Sequence, residues 1–242
     1  MARATHGNIL AVRVVHPGPV ADVELDALYG VARARVGDRP WVGVCMIAAL
    51  DGTTVVDGAS GALGNDTDRA VFAALRRAAD VVIVGAGTVR AEGYGPPRKP
   101  GQRIGVVTST ASVEPATELF TSGAGFLILP DDGPPAPVGP AGAIDVVRAG
   151  RGRVDLADAL RRLDNLIDPP TFVQCEGGAT LNGALLAAGC VDELDLTLAP
   201  VMAGGDGPRL AVGAPPAFER FVLAHVGVDE ESYVFTRWTR PS

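Results

Sequence analysis

The feature that most restricts the fold of this chain is a corner that occurs twice. A short apolar run stops at glycine and passes straight into a helical pattern, first in VVIVGAGTV from Val81 and again in FVQCEGGATL from Phe172. Such runs, apolar on both faces, read as strands of a buried parallel sheet. More runs of the same kind begin at Trp41 (WVGVCMIAAL), Arg103 (RIGVVTS), Ala124 (AGFLILP), Ala143 (AIDVVRAG) and, with apolar alternation, Val191 (VDELDLTLAP). Helical patterns separate them. Asp66 to Arg77 carries a stripe of Val71, Ala74, Leu75 and Ala78 behind an Asp66 or Thr67 N-cap, and others span Val154 to Leu166 and Thr180 to Ala188, the last closed by Gly189. FVLAHVGVD and SYVFTRW follow, joined through Asp229-Glu230-Glu231 as an antiparallel hairpin. The alternation predicts an α/β fold with a mostly parallel central sheet, an antiparallel edge and helices on both faces.

The first forty residues read as an N-terminal extension. Pro17 and Pro19 break its start, and Leu25, Leu28 and Val31 mark a helix over Val23 to Arg35, packed outside the domain or on a partner subunit. Residues 41–242 read as one domain, and the Pro/Gly-rich DDGPPAPVGPAG from Asp131 as a loop within it. A hydrophobic fraction of 47% against 20% charged excludes whole-chain disorder. A net charge of −7 argues against nucleic acid or anionic membranes as main partners. Cys45, Cys175 and Cys190 form no CxxC pair, and His6, His16 and His225 are scattered, so neither a zinc site nor a disulfide framework is expected. Free thiols suit a cytoplasmic setting. No run approaches the ~18 apolar residues of a membrane helix, and MARATHGNIL has no signal-peptide core.

Glycine corners at strand ends are suited to anions: a helix start presents unpaired N–H groups, and glycine lets a ligand approach them. Gly85 and Gly87 form one corner and Gly177 and Gly178 the other, with Thr88 and Thr180 beside them, so the pair could hold a diphosphate from both sides. Gly85-Ala-Gly87-Thr-Val-Arg90 lacks the third glycine of the G-x-G-x-x-G fingerprint. The next strand ends in Thr108 and Ser109 where an NAD site would place an acid, and hydroxyls there, near Arg103, favour a 2′-phosphate and hence NADP. No GxxxxGK[ST] occurs, which excludes a P-loop NTPase.

Three segments then carry a resemblance. Ala48-Ala49-Leu50-Asp51-Gly52, Arg76 followed by ADVVIVGAGTVRAE ending at Glu92, and the stretch EGGATLNGALLAAGCVDELDLTLAPVMAGG from Glu176 to Gly205 together resemble the reductase domain of bacterial riboflavin-biosynthesis deaminase–reductases. The resemblance implies a dihydrofolate reductase-like fold and an NADPH-dependent, homodimeric reductase of a pyrimidine ribosylamine phosphate. It places Ile47, Thr88, Glu92, Thr108 and Ser109 along the cofactor, with the Gly85 and Gly87 corner, and Gly177, Gly178, Ala179, Thr180, Leu181 and Asn182 around its diphosphate. Ser60, Arg76 and Glu176 would face the substrate. The chain lacks the zinc motif of the family's deaminase half. Where the family continues D-P-x-L-x-x-R after the acid, this sequence reads Gly93-Tyr94-Gly95-Pro96-Pro97-Arg98, which makes Arg98 the candidate for the substrate phosphate, and the serine of S-L-D-G is Ala49.

Asp51 and Glu176, both at strand ends, are the candidate carboxyls for holding the substrate and relaying a proton. Dihydrofolate or pterin reduction on the same fold, and a non-catalytic NADP-binding regulatory protein, are the alternatives. Asp51-Gly52 also fits an ordinary turn. Cys175, Trp41, Trp238 and His225 read as packing residues, and Asp192 and Glu193 as surface charges or dimer-edge residues.

Overall fold

The computed structural model describes residues 11–16, 18, 20–216 and 218–241. The MARATHGNIL segment and the Pro17 and Pro19 breaks lie outside the described residues. The elements run β1 (Ala11–His16), β2 (Ala21–Glu24), α1 (Leu25–Tyr29), β3 (Trp41–Ala49), α2 (Asp66–Ala78), β4 (Val81–Gly85), α3 (Ala86–Glu92), β5 (Arg103–Val107), α4 (Glu118–Thr121) and β6 (Gly125–Leu129). They continue with β7 (Val138–Gly139), β8 (Gly142–Ala143), β9 (Val146–Arg148), α5 (Leu156–Arg162), β10 (Phe172–Cys175), α6 (Ala179–Ala187), β11 (Glu193–Ala199), β12 (Val222–Val228) and β13 (Val234–Thr239). The loop from Asp131 contains the small hairpin of β7 and β8.

One sheet of eleven strands has the order β2-β1-β12-β13-β11-β3-β10-β4-β5-β6-β9. From β11 to β9 every pairing is parallel, and from β11 back to β2 every pairing is antiparallel. Two faces of the parallel half are filled. Val42, Val44, Ile83, Val173 and Cys175 pack with Leu160, Leu181 and Leu185 of α5 and α6, and Val82, Val84, Ile104 and Val106 pack with Val89, Leu119 and Phe120 of α3 and α4. Val71, Ala74 and Leu75 of α2 join Leu25 and Tyr29 of α1 over Val12, Phe172 and Phe235.

The expected helix over Val23 to Arg35 is cut to one turn. Val23 belongs to β2, α1 ends at Gly30, and the Arg33 guanidinium donates to the Tyr29 and Val31 carbonyls (3.0 and 2.8 Å) that a continuing helix would use. β1 and β2 do not lie outside the domain but extend its sheet through the β1–β12 ladder. The N-cap of α2 is Asn65, not Asp66 or Thr67, because its side chain is the one positioned to accept from the Asp68 N–H (2.9 Å); it also donates to Asp229 at the β12–β13 turn (2.8 Å).

Asp192 and Glu193 are not surface charges. Along β11 it is Glu193, Asp195 and Thr197 that are buried, while Leu194, Leu196 and Leu198 are half-buried. Glu193 accepts from Arg33 (2.6 and 3.0 Å), Trp41 Nε1 (3.0 Å) and Arg237 (3.0 Å). Asp192 accepts from Arg39 (2.6 and 2.9 Å) and the Val42 N–H (2.9 Å). Burial alone would raise the Glu193 carboxyl; the hydrogen bonds and charge of Arg33, with the charge of Arg237, bring it down to about 2. Asp195, whose two oxygens have no hydrogen-bond partner among the described residues, is pushed well above the usual carboxylate range by burial and then by the Glu193 charge.

His225 sits in the same layer, edge-on to Tyr29, its Nε2 3.2 Å from the phenol oxygen. Burial, with the Arg237 charge, drives its imidazole down to about 4 from 6.5. The folded protein therefore favours neutral His225, and this contribution is intact above pH 6.5 and lost as pH falls through 6.5 toward 4. The urea midpoint should drop across that window, and His225→Gln should flatten the drop by about one proton's worth of slope. An unchanged slope in the variant would show that His225 is not the linked group.

A second test concerns the packing of α6. A Cβ on Gly183 would lie 2.0 Å from the Val212 carbonyl oxygen. Gly183→Ala should cost about 1–3 kcal/mol through this overpacking, measured by denaturant titration, because the contact is backbone and cannot rotate away.

Candidate active site

The two glycine corners meet. β4 and β10 are neighbours, and the Gly85 N–H donates to the Gly177 carbonyl at 2.7 Å. A Cβ on Gly85 would lie 3.4 Å from the Gly178 nitrogen, one on Gly178 would lie 2.9 Å from Thr88 Oγ1, and one on Gly177, at φ +80°, would lie 2.9 Å from Met46 Sδ. Gly177, in the left-handed region, is where the crossing requires glycine, and a side chain on Gly178 would displace the Thr88 hydroxyl. The Gly177–Gly178 peptide is cis. From Gly178, its N-cap, α6 begins with Ala179 and the exposed Thr180. Leu181 and Asn182 point inward. Leu181 is core, and Asn182 donates to the Leu210 carbonyl (2.8 Å) and accepts from Cys175 Sγ (3.5 Å). Ile47 is likewise core, with Ala49, Leu63 and Ala199.

Glu176, the residue before the glycine pair, is buried, and its carboxylate is surrounded by donors. Arg76 of α2 binds it bidentately through Nε and Nη2 (2.6 Å each), the Tyr94 hydroxyl donates at 2.7 Å and Gln174 Nε2 at 3.2 Å. Those contacts match the four acceptor positions a carboxylate offers. The Arg76 guanidinium lies over the Phe72 ring (4.6 Å) and the Tyr94 ring (5.3 Å), and its side chain keeps 28% exposure. Burial and then the Glu176 charge push the Tyr94 phenol well above its ordinary range, so at neutral pH it is a donor. Arg76 is thus no solvated helix residue, and its bidentate partner is a carboxylate of the chain itself.

The other expected residues make contacts outside this hub. The Glu92 carboxylate accepts from both the N–H and the hydroxyl of Ser60 (2.9 and 3.0 Å), joining two residues expected on different ligands. Arg98 is exposed and has no side-chain hydrogen bond or ion pair among the described residues. Asp51 is exposed, and its carboxylate accepts from the N–H groups of Gly204 (2.6 Å) and Ala203 (3.0 Å), so it ties the turn after β3 to the loop after β11; the Gly204 bond leads the lowering of its pKa. Thr108 is buried, its hydroxyl accepting from the Thr110 N–H (3.3 Å), and Ser109 is exposed. Arg103 is not near Ser109. It stands at the amino end of β5, paired with Asp145 (2.8 Å), with the strand's length between the two.

Tyr94 and Gln174 were not singled out from the sequence. Gln174 carried a signal, as the one amide in the apolar run FVQC, and Tyr94 a weaker one, as the one aromatic in a Gly/Pro loop. Beside α6 lies a cleft of about 520 Å³ bordered by Arg151, Arg153, Val154, Thr180, Ala184 and Val212. No helix among the described residues is long and apolar enough to cross a membrane, and no three His, Cys, Asp or Glu side chains there group as a metal site requires.

A mostly parallel sheet with an antiparallel edge, two glycine corners crossing at its carboxyl end and a buried Glu–Arg–Tyr hub beside them define an oxidoreductase domain of the dihydrofolate reductase-like class. Dihydrofolate reductase from Enterococcus faecalis, solved with NADP(H), superposes with a TM-score of 0.51 at 14% identity over 84% of this chain and 97% of that one. The chain belongs to the RibD C-terminal domain family, which matches residues 40–235. The 2,5-diamino-6-ribosylamino-4(3H)-pyrimidinone 5′-phosphate reductase of Methanothermobacter thermautotrophicus is 32% identical over 186 residues, covering 72% of this chain and 84% of the relative. A pyrimidine reductase-like protein from Corynebacterium diphtheriae superposes with a TM-score of 0.71 at 21% identity, covering 84% of this chain and 92% of that one.

Proposed function

We propose that this protein is an NADPH-dependent reductase of a pyrimidine ribosylamine 5′-phosphate in riboflavin biosynthesis. The observation that carries the reading is the crossing of the two glycine corners directly against the Arg76–Glu176–Tyr94 hub, since it sets an anion cradle beside a fixed set of donors. The site fits a dinucleotide: Gly85, Gly177 and Gly178 carry no side chain where a diphosphate would approach, and the first turn of α6 supplies N–H groups to it. The bound nicotinamide would supply the hydride.

The chain's own residues bind and orient. Gly87, Thr88, Ala179 and Thr180 line the diphosphate. Arg76, held by Glu176 through Nε and Nη2, presents its remaining guanidinium N–H groups to the polar edge of the substrate, and Tyr94, whose one O–H is donated to Glu176, offers its oxygen as an acceptor. Glu176 works through them as a positioning residue, because its acceptor positions are occupied. Ser60 is fixed by Glu92 on the same side, Arg98 is left to meet the substrate phosphate, and Asp51 shapes the rim through the 203–204 loop. The reading carries with it a cytoplasmic homodimer; the half-buried Leu194, Leu196 and Leu198 face of β11 is the surface such a dimer would cover.

Following NADPH oxidation by absorbance tests this directly. Turnover is expected with the diaminopyrimidinone or the aminouracil ribosylamine phosphate and not with dihydrofolate. Turnover of dihydrofolate alone would move the protein to pterin reduction, and NADPH binding without turnover of any of them would make it a binding protein.

A further inference from the structure

We propose that Asp195 is a neutral carboxylic acid in the folded protein and shares its proton with Glu193, so that a single proton latches the antiparallel half of the sheet. Glu193 and Asp195 stand two residues apart on the buried side of β11, and strand side chains alternate, so both carboxyls point the same way. Asp195 is 3% exposed, and neither of its oxygens receives a hydrogen bond among the described residues. Glu193 takes the donors instead. Its Oε2 accepts from Arg33 Nε, Trp41 Nε1 and Arg237 Nη2, and its Oε1 from Arg33 Nη2 alone. An acceptor position on Oε1 is left open beside an acid that lacks a donor. A proton on Asp195 satisfies both groups at once.

The groups facing Asp195 come from every element packed on it. Arg237 of β13 is opposite in register, with His225 of β12 beyond it and Cys45 of β3 on the other side. Tyr29 of α1 and Asp68 of α2 face the same row from the helices, and Arg33 follows Tyr29 in the chain. Counted as charges alone, Arg33 and Arg237 would balance two carboxylates. The hydrogen bonds decide otherwise. Arg33 spends its remaining donors on the Tyr29 and Val31 carbonyls, Arg237 Nε has no partner, and His225 and Tyr29 engage each other at 3.2 Å. A buried carboxylate without donors, next to a second carboxylate, is far more costly than a neutral acid.

Asp195→Asn tests the latch, because the amide still donates to Glu193 and carries no charge at any pH. The stabilisation from a proton held in the folded state is complete below the ordinary value of 3.8 and is lost as pH rises, by about tenfold in the folding constant per pH unit until the folded group titrates. The variant escapes that loss. Urea titration between about pH 6.5 and 8.5, above the His225 window, should give it a folding constant at least tenfold above wild type, with the ratio widening as pH rises. A wild type as stable as the variant overturns the proposal, since Asp195 would then be a carboxylate held by Arg237. So does a variant that fails to fold. Infrared spectra of the wild type at neutral pH give a second reading: the carbonyl stretch of a protonated carboxyl that shifts in D2O, absent in Asp195→Asn and kept in Asp68→Asn. Its absence from the wild type, or its loss only in Asp68→Asn, overturns the proposal as well.

Discussion

Replacing Arg33 with methionine is expected to lower the unfolding free energy by about 3–5 kcal/mol, the usual cost of removing one partner from a buried ion pair. In a domain of this size that corresponds to roughly 10 °C in Tm. Arg33 and Glu193 side chains are 2% and 0% exposed. The guanidinium makes two bonds to the carboxylate and two to backbone carbonyls, and it lies 4.0 Å over the Phe172 ring. Methionine keeps part of the volume but leaves Glu193 with Trp41 and Arg237 only. The double variant Arg33→Met/Glu193→Leu should recover much of the loss, because the carboxylate then no longer needs a partner. A single-variant loss below about 1 kcal/mol, within the range of surface pairs, would mean that Arg237 and Trp41 suffice to hold Glu193.

Glu176→Gln is expected to reduce kcat by about a hundredfold or more, within the span seen for groups that organise proton transfer. The glutamine keeps the size but offers one acceptor oxygen where the carboxylate offers two, and its amide nitrogen would oppose a donor of Arg76 or Tyr94. Those two side chains would then lose their fixed geometry, and misplaced groups cost rate steeply. Because the cofactor cradle is backbone, the affinity for NADPH should change little. Steady-state kinetics beside a direct titration separate the effects. A kcat within threefold of wild type would show that Arg76 and Tyr94 hold their places unaided, and a parallel loss of NADPH affinity would show that the corner itself had moved.

The parallel half of the sheet was legible in the sequence because buried strands there are continuous apolar runs and both corners end in glycine. The antiparallel half was less so. Alternation in ELDLTLA states a period of two but not which side faces inward, and the charged side is the buried one. Its compensating cations, Arg33 and Arg39, come from more than 150 residues upstream, a distance no local pattern spans. The site divides the same way. Glycines signal a backbone need and were found; Tyr94 and Gln174 gain meaning only once α2, β10 and the loop after α3 converge. The misplaced Arg103 has a simple cause. Residues close in number on a strand separate by ~3.3 Å each, so Arg103 and Ser109 stand at opposite ends of β5.

The ladder between β1 and β12 sets an order of events during synthesis. Arg13 pairs with Val228 and Val14 with Gly227, so the first strand of the sheet has no neighbour on that side until the last hairpin has been made. At ~5–20 residues per second on the ribosome, β1 waits some tens of seconds, and Arg33 waits almost as long for Glu193. The parallel strands can assemble meanwhile, but β1 is seated only after β12 has emerged. Strands formed more than 200 residues apart thus close the fold together, and removing the β12–β13 hairpin would unseat β1.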